Sequence, residues 1–212
     1  LNGAVVVVDP NTGRILSIVN QKMALESAFT PCSTFKPVVG LAALKEGLIT
    51  QDTQLRVGRR RHMNLTEALA VSNNRFFTRL GQMLGFRRLA RYAREMGLGQ
   101  KVGWNIPGES PGRFPQVPPK GVGVGILSSY GKDIAVTPLQ LAAVISAIAN
   151  GGTLHYLQYP RTSEEMAQFQ PKPRRRLESL AQFFPQIKEG LAAAVLYGTA
   201  QSAYDPEEQI FG

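Results

Sequence analysis

The chain has 212 residues, 43% of them hydrophobic and 18% charged, a globular composition with enough length for one substantial core or a compact two-lobed domain. A single cysteine, Cys32, excludes an internal disulfide and a multi-cysteine metal site. The formal charge of +9 invites a nucleic-acid partner, but Arg59-Arg60-Arg61 and Arg174-Arg175-Arg176 lie in connecting segments without aromatics for base stacking, so a solvated face is the better reading and attraction to an anionic membrane or wall surface the second.

Residues 4–8, the turn Asp9-Pro10-Asn11-Thr12-Gly13 and residues 14–20 read as a β-hairpin. Four consecutive valines, Val5, Val6, Val7 and Val8, predict a strand buried on both faces. A lone hairpin is marginal in water, so the pair is expected to belong to a larger sheet. The chain shows neither a signal peptide nor an apolar run long enough to span a bilayer. Leu1 enters the first strand almost at once, so the chain reads as part of a longer protein.

The apolar residues Val38, Val39, Leu41, Ala42 and Leu44 suit a buried helix that begins near Ser33 and closes at Gly47. If Ser33 were only an N-cap, Glu or Gln would be expected three residues on. The chain has Lys36 there, at the positive end of the helix dipole, where a charged ammonium costs roughly 0.3–1 kcal/mol. Positions i and i+3 share a helical face, so the Lys36 amine can reach the Ser33 hydroxyl. Burial and the helix end both lower a lysine pKa, which makes this pair a nucleophile beside a base, with helix N–H groups available to an oxyanion. Cys32 beside it reads as a small packed residue or as a modifiable thiol.

Residues 47–63 form a polar, arginine-rich connection, after which Asn64 or Thr66 caps a helix through Ala68, Leu69 and Val71. Ser72-Asn73-Asn74 interrupts it, and apolar periodicity resumes with Phe76, Phe77, Leu80 and Leu84 as far as Gly85. Ser72 and Asn74 therefore stand at a helix junction, either as ordinary caps or as a hydroxyl and an amide projecting into a cleft. A helix over 87–96 ends at Gly97, and a Gly/Pro-rich loop covers 105–120. Thr137-Pro138-Leu139-Gln140 carries a capping box and opens a buried helix through Ile148. Polar connection follows from Thr153, and a last helix runs through Leu191 to Tyr197. His62 and His155 have no partners at ligand spacing and read as surface or structural residues. One hairpin and many helices indicate an α+β class.

Taken together these segments resemble the transpeptidase domain of penicillin-binding proteins, serine acyltransferases of the penicillin-recognising superfamily. Pro31-Cys32-Ser33-Thr34-Phe35-Lys36-Pro37 is similar to the family's Ser-x-x-Lys element, with Cys32 where Gly or Ala is usual, and Ser72-Asn73-Asn74 followed by Phe77 to its Ser-x-Asn element. Pro107-Gly108-Glu109-Ser110-Pro111-Gly112 and Thr137-Pro138-Leu139-Gln140-Leu141-Ala142, leading to Ile148-Ala149-Asn150-Gly151-Gly152, resemble segments of monofunctional, class B members. Gly198-Thr199-Ala200 resembles the segment shortly before the third motif, Lys-Thr-Gly, which the chain lacks; Ile210-Phe211-Gly212 resembles what immediately precedes it.

The resemblance implies a β-lactamase/transpeptidase-like fold, a five-stranded antiparallel sheet with an all-helical subdomain, truncated here before the Lys-Thr-Gly strand. It implies one domain over 1–212, with 1–30 and 120–212 on the sheet side and 37–118 mainly helical. Ser33 would be the acylated nucleophile, Lys36 its proton acceptor, Ser72 a proton relay to the leaving amine, and Asn74 the residue that binds the substrate backbone and fixes Lys36. The implied activity is peptidoglycan D,D-transpeptidation, with stem peptides and β-lactams as ligands, cell-wall synthesis proteins as partners, and neither cofactor nor metal. The implied place is the extracytoplasmic face of the bacterial cytoplasmic membrane, through an anchor outside this chain. Two alternatives keep parts of this reading: a D,D-carboxypeptidase or serine β-lactamase, and a β-lactam sensor or catalytically inactive scaffold.

Overall fold

The computed structural model describes residues 2–208 and 210–212. In chain order the strands and helices are β1 (Val5–Asp9), β2 (Arg14–Val19), α1 (Gln21–Glu26), α2 (Lys36–Lys45), β3 (Leu55–Arg56), β4 (His62–Met63), α3 (Leu65–Ala70), α4 (Asn74–Glu95), α5 (Val124–Tyr130), α6 (Pro138–Ala149), β5 (Thr153–His155), α7 (Ser163–Ala167), β6 (Pro173–Arg176) and α8 (Phe184–Leu196). Helices and antiparallel pairs segregate in the α+β manner expected. Two compact units result, one of residues 1–30, 93–114 and 134–178, the other of residues 31–92, 115–133 and 179–212. These boundaries differ from the 37–118 and 120–212 division drawn from the sequence. The reason is α8, which packs along α3 and so joins residues 179–212 to the unit that holds Ser33.

In the first unit β1 and β2 pair antiparallel from Val5↔Val19 to Asp9↔Arg14, with a bulge at Val7/Val8. Asp9 closes the turn by accepting from the Asn11 N–H at 3.0 Å and the Thr12 hydroxyl at 2.7 Å. Gly13 has φ 74°, and a Cβ there would lie 2.7 Å from both His155 Cβ and Tyr156 O, so conformation and space both demand glycine. The valine expectation is corrected here. Val5 is 52% and Val7 43% exposed, because the pair packs one face, against α6, and leaves the other to solvent. Among the described residues the pairings form three separate two-stranded sheets rather than one larger sheet.

The loop over 105–120 and the start of α6 hold each other. Buried Glu109 accepts the N–H groups of Val102 at 2.5 Å and Gly103 at 3.0 Å. Thr137 and Gln140 form the predicted capping box, and the Gln140 amide also donates to Gln100 O and Pro111 O, each at 2.7 Å. Both segments thus fasten loops through buried hydrogen bonds.

In the second unit α2 is buried from Lys36 to Leu44. It ends in a Schellman motif, with Gly47 at φ 65°, its N–H on Leu44 O and the Leu48 N–H on Ala43 O. Glu46 beside this end pairs with Arg88 at 2.8 Å and with Arg91, and accepts the Tyr92 hydroxyl at 2.6 Å. That fastens α2 to α4. Helix α4 breaks at Gly85, where φ 72° and ψ 160° separate the two helices that periodicity distinguished. The sequence reading missed α1 and took the segment that holds β5, α7 and β6 for polar connection, and two more elements escaped it. The arginine-rich connection contains the short pair β3 and β4, and residues 124–130, diluted by glycines 121, 123 and 125, form α5.

Candidate active site

Ser33 lies on a single 3-10 turn, Cys32–Phe35, that leads directly into α2. The helix therefore starts three residues later than expected, with Lys36 rather than Ser33 at its head. Lys36 N–H still bonds to Ser33 O, so the two side chains keep the i, i+3 relation. The turn is entered through Cys32 at φ 51°, a left-handed conformation that costs a non-glycine residue roughly 1–2 kcal/mol. The end of α5 supports it from beneath: a Cβ on Gly131 would meet Pro31 Cγ at 2.6 Å. Ser33 and the Cys32 thiol are exposed, while Lys36 is 1% exposed.

The Ser72-Asn73-Asn74 junction resolves its two readings by dividing the work. Helix α3 starts at Asn64, which forms a capping box with Glu67, and ends in a second Schellman motif. There Ser72 occupies the left-handed position usually given to glycine, at φ 50°; its N–H bonds to Leu69 O and the Asn73 N–H to Ala68 O. Asn73 Oδ1 then accepts the Phe76 N–H at 3.0 Å and caps α4. The middle residue does the capping, which leaves the side chains of Ser72 and Asn74 free to turn inward. Asn73 was given no role in the sequence reading, although its place three residues before Phe76 was the signal.

All four predicted side chains meet at one amine. Lys36 Nζ lies 3.1 Å from Ser33 Oγ, 2.8 Å from Ser72 Oγ, 2.7 Å from the Ser72 main-chain carbonyl and 2.7 Å from Asn74 Oδ1. The Phe77 ring, fully buried and edge-on to Phe76, stands 5.5 Å from the amine. Burial holds the Lys36 pKa down from an ordinary 10.5 to about 8. The inventory of partners fits a neutral amine. The Ser72 carbonyl and Asn74 Oδ1 can only accept, so they take its two N–H bonds, and its lone pair is left for a hydroxyl proton. Only Ser33 and Ser72 can supply one. The arrangement is an activated hydroxyl with a second hydroxyl on the same base, which is the equipment for acyl transfer.

The family profile described as "Penicillin binding protein transpeptidase domain" matches residues 3–210. Stage V sporulation protein D of Bacillus subtilis is 29% identical over 212 residues, covering 89% of this chain and 32% of that protein. Peptidoglycan D,D-transpeptidase FtsI of Escherichia coli is 27% identical over 181 residues, covering 71% of this chain and 31% of that protein. The chain thus spans about a third of the length of these curated relatives. Among solved structures, the apo TP domain from Burkholderia pseudomallei penicillin-binding protein 3 superposes with a TM-score of 0.81 at 25% identity, covering 98% of this chain and 66% of that one. Profile, relatives, fold and the Ser33–Lys36–Ser72–Asn74 constellation agree, and the chain belongs to the penicillin-binding protein transpeptidase domain family.

Proposed function

We propose that this chain carries the acyl-transfer site of a peptidoglycan D,D-transpeptidase. Ser33 Oγ attacks the carbonyl of the penultimate D-alanine of a stem peptide and gives its proton to Lys36 Nζ. The proton passes through Ser72 Oγ to the nitrogen of the terminal D-alanine, which leaves as the free amino acid. An amine of a neighbouring stem then attacks the Ser33 ester, its proton returns along the same path to Ser33, and the cross-link forms. Asn74 holds Lys36 through Oδ1 and offers its amide N–H to the substrate backbone. β-Lactams acylate Ser33 by the same attack and stay attached. The observation that carries this reading is the one buried amine within hydrogen-bond distance of both hydroxyls.

The relatives' names support a role in wall cross-linking, and with it a site on the extracytoplasmic face of the cytoplasmic membrane beside other cell-wall synthesis proteins. The test is intact-mass spectrometry of the full-length protein with benzylpenicillin. One stable adduct on wild type and none on Ser33→Ala is expected. An adduct that survives Ser33→Ala overturns the assignment of the nucleophile, and an adduct lost within seconds overturns transpeptidase in favour of lactamase.

A further inference from the structure

The arginines of the 47–63 connection are exposed, as a solvated face requires, but two of them are gathered with two arginines of α4. Pairing of β3 with β4 folds that segment back so that Arg56 and Arg59 stand beside Arg75 and Arg79 of α4. Together with Val57, Gly58, Thr78 and Gln82, these four arginines line one depression of about 570 Å³. No carboxylate lines it, and the carboxylate of Glu46 is engaged by Arg88 and Arg91 instead. Two of the four are anchored on the connection's own backbone: Arg56 Nε donates to Gly58 O at 2.9 Å, and Arg75 Nη1 to Val57 O at 3.2 Å.

Arginines that needed only water would spread apart, since like charges at i, i+4 on a helix repel, as Arg75 and Arg79 do. Here two elements bring four of them to one concavity and fix two in place. Guanidinium forks match the oxygens of phosphate and carboxylate, and four positive charges around one cavity exceed what a single carboxylate balances. A multiply charged phosphate group balances them better. Next to the depression, Leu55 and Met83 flank the same Arg79 and Gln82, which gives an apolar substituent on that phosphate a place to lie.

We propose that this depression binds a phosphate-bearing ligand, a diphosphate or phosphodiester group, by a chemistry that the Ser33 site does not use. The test is titration calorimetry of the full-length protein with sodium pyrophosphate. Wild type is compared with Arg59→Gln/Arg79→Gln and with Lys22→Gln/Lys120→Gln, which removes the same charge elsewhere. Benzylpenicillin labelling and the thermal midpoint report that each variant is folded. Loss of two charge-assisted contacts is expected to weaken binding at least about tenfold in the arginine variant and less than about twofold in the lysine variant. Absence of pyrophosphate binding by wild type, or equal weakening in both variants, overturns the proposal. Sedimentation with phosphatidylglycerol and phosphatidylcholine vesicles identifies the source. Capture by the anionic vesicles alone, reversed by pyrophosphate and lost in the arginine variant, assigns a lipid headgroup. Pyrophosphate binding without such capture assigns a soluble phosphate.

Discussion

Acylation of Ser33 should follow the titration of Lys36, because only the neutral amine can take the serine proton. With the pKa held at about 8, the neutral fraction is about 0.01 at pH 6, about 0.09 at pH 7 and about 0.9 at pH 9. A lysine at its ordinary 10.5 would be neutral in only about 0.0003 of molecules at pH 7, so burial supplies about 300 times more base, the equivalent of about 3 kcal/mol. The second-order rate of benzylpenicillin acylation, followed by quenched intact-mass spectrometry, is expected to rise about tenfold per pH unit below 7 and to level off above 9. Lys36→Ala should be slower by about 10²–10⁴ and nearly flat with pH. The same shift has a stability consequence with the same pH slope as that of a salt-bridged carboxylate, since in both the folded-state pKa lies below the unfolded one. Between pH 8 and 10.5 the unfolded chain holds the Lys36 proton and the folded chain does not, so stability rises with pH across that window, and the burial penalty is complete below it. Wild type should therefore gain on Lys36→Met as pH climbs from 8 to 10. A wild-type acylation rate that is flat between pH 6 and 9, or that falls, would refute Lys36 as the base.

Substitutions at two further positions separate scaffold from chemistry. Cys32→Gly removes the left-handed strain of roughly 1–2 kcal/mol and adds a glycine entropy cost of roughly 0.5–1, so the thermal midpoint should rise by up to about 6 °C with acylation unchanged; a fall in midpoint would show that Cys32 is not strained. Asn73→Ala removes the cap of α4 and should lower stability by about 1 kcal/mol, while Asn73→Asp, which keeps an acceptor for the Phe76 N–H, should restore most of it in urea unfolding. If both variants lost the same amount, the capping role of Asn73 would be wrong.

What the sequence disclosed was local. The Thr137–Gln140 box, the glycine stop at Gly47 and the turn closed by Gly13 each depend on a few adjacent residues, and each stands where the pattern put it. The Ser33–Lys36 spacing was legible for the same reason, since a single turn of helix decides it. The exposure of Val5 and Val7 was not legible, because β-preference does not say what covers a strand. Nor was the arginine depression, which needs Arg59 and Arg79, twenty residues apart, to be brought together by a two-residue strand pair. The meeting of Lys36 with Ser72 and Asn74, 36 and 38 residues away, came from family resemblance and not from periodicity.

The strain at Ser72 explains how one residue can present two oxygens to one amine. Had Ser72 kept right-handed backbone, α3 would have continued, and its carbonyl would have pointed along the helix axis toward a later N–H. The left-handed turn of the Schellman motif reverses the chain there. It aims the Ser72 carbonyl at Lys36 Nζ at 2.7 Å while the hydroxyl of the same residue arrives at 2.8 Å. Glycine would adopt that backbone without strain but could not supply the hydroxyl. The carbonyl matters as much, since with Asn74 Oδ1 it occupies both N–H bonds of the neutral amine and so directs the lone pair to a hydroxyl. Strain of order 1–3 kcal/mol at Ser72 and a desolvated Lys36 are two parts of one device, borne by the buried α2 helix and by the packing of α3 along α8.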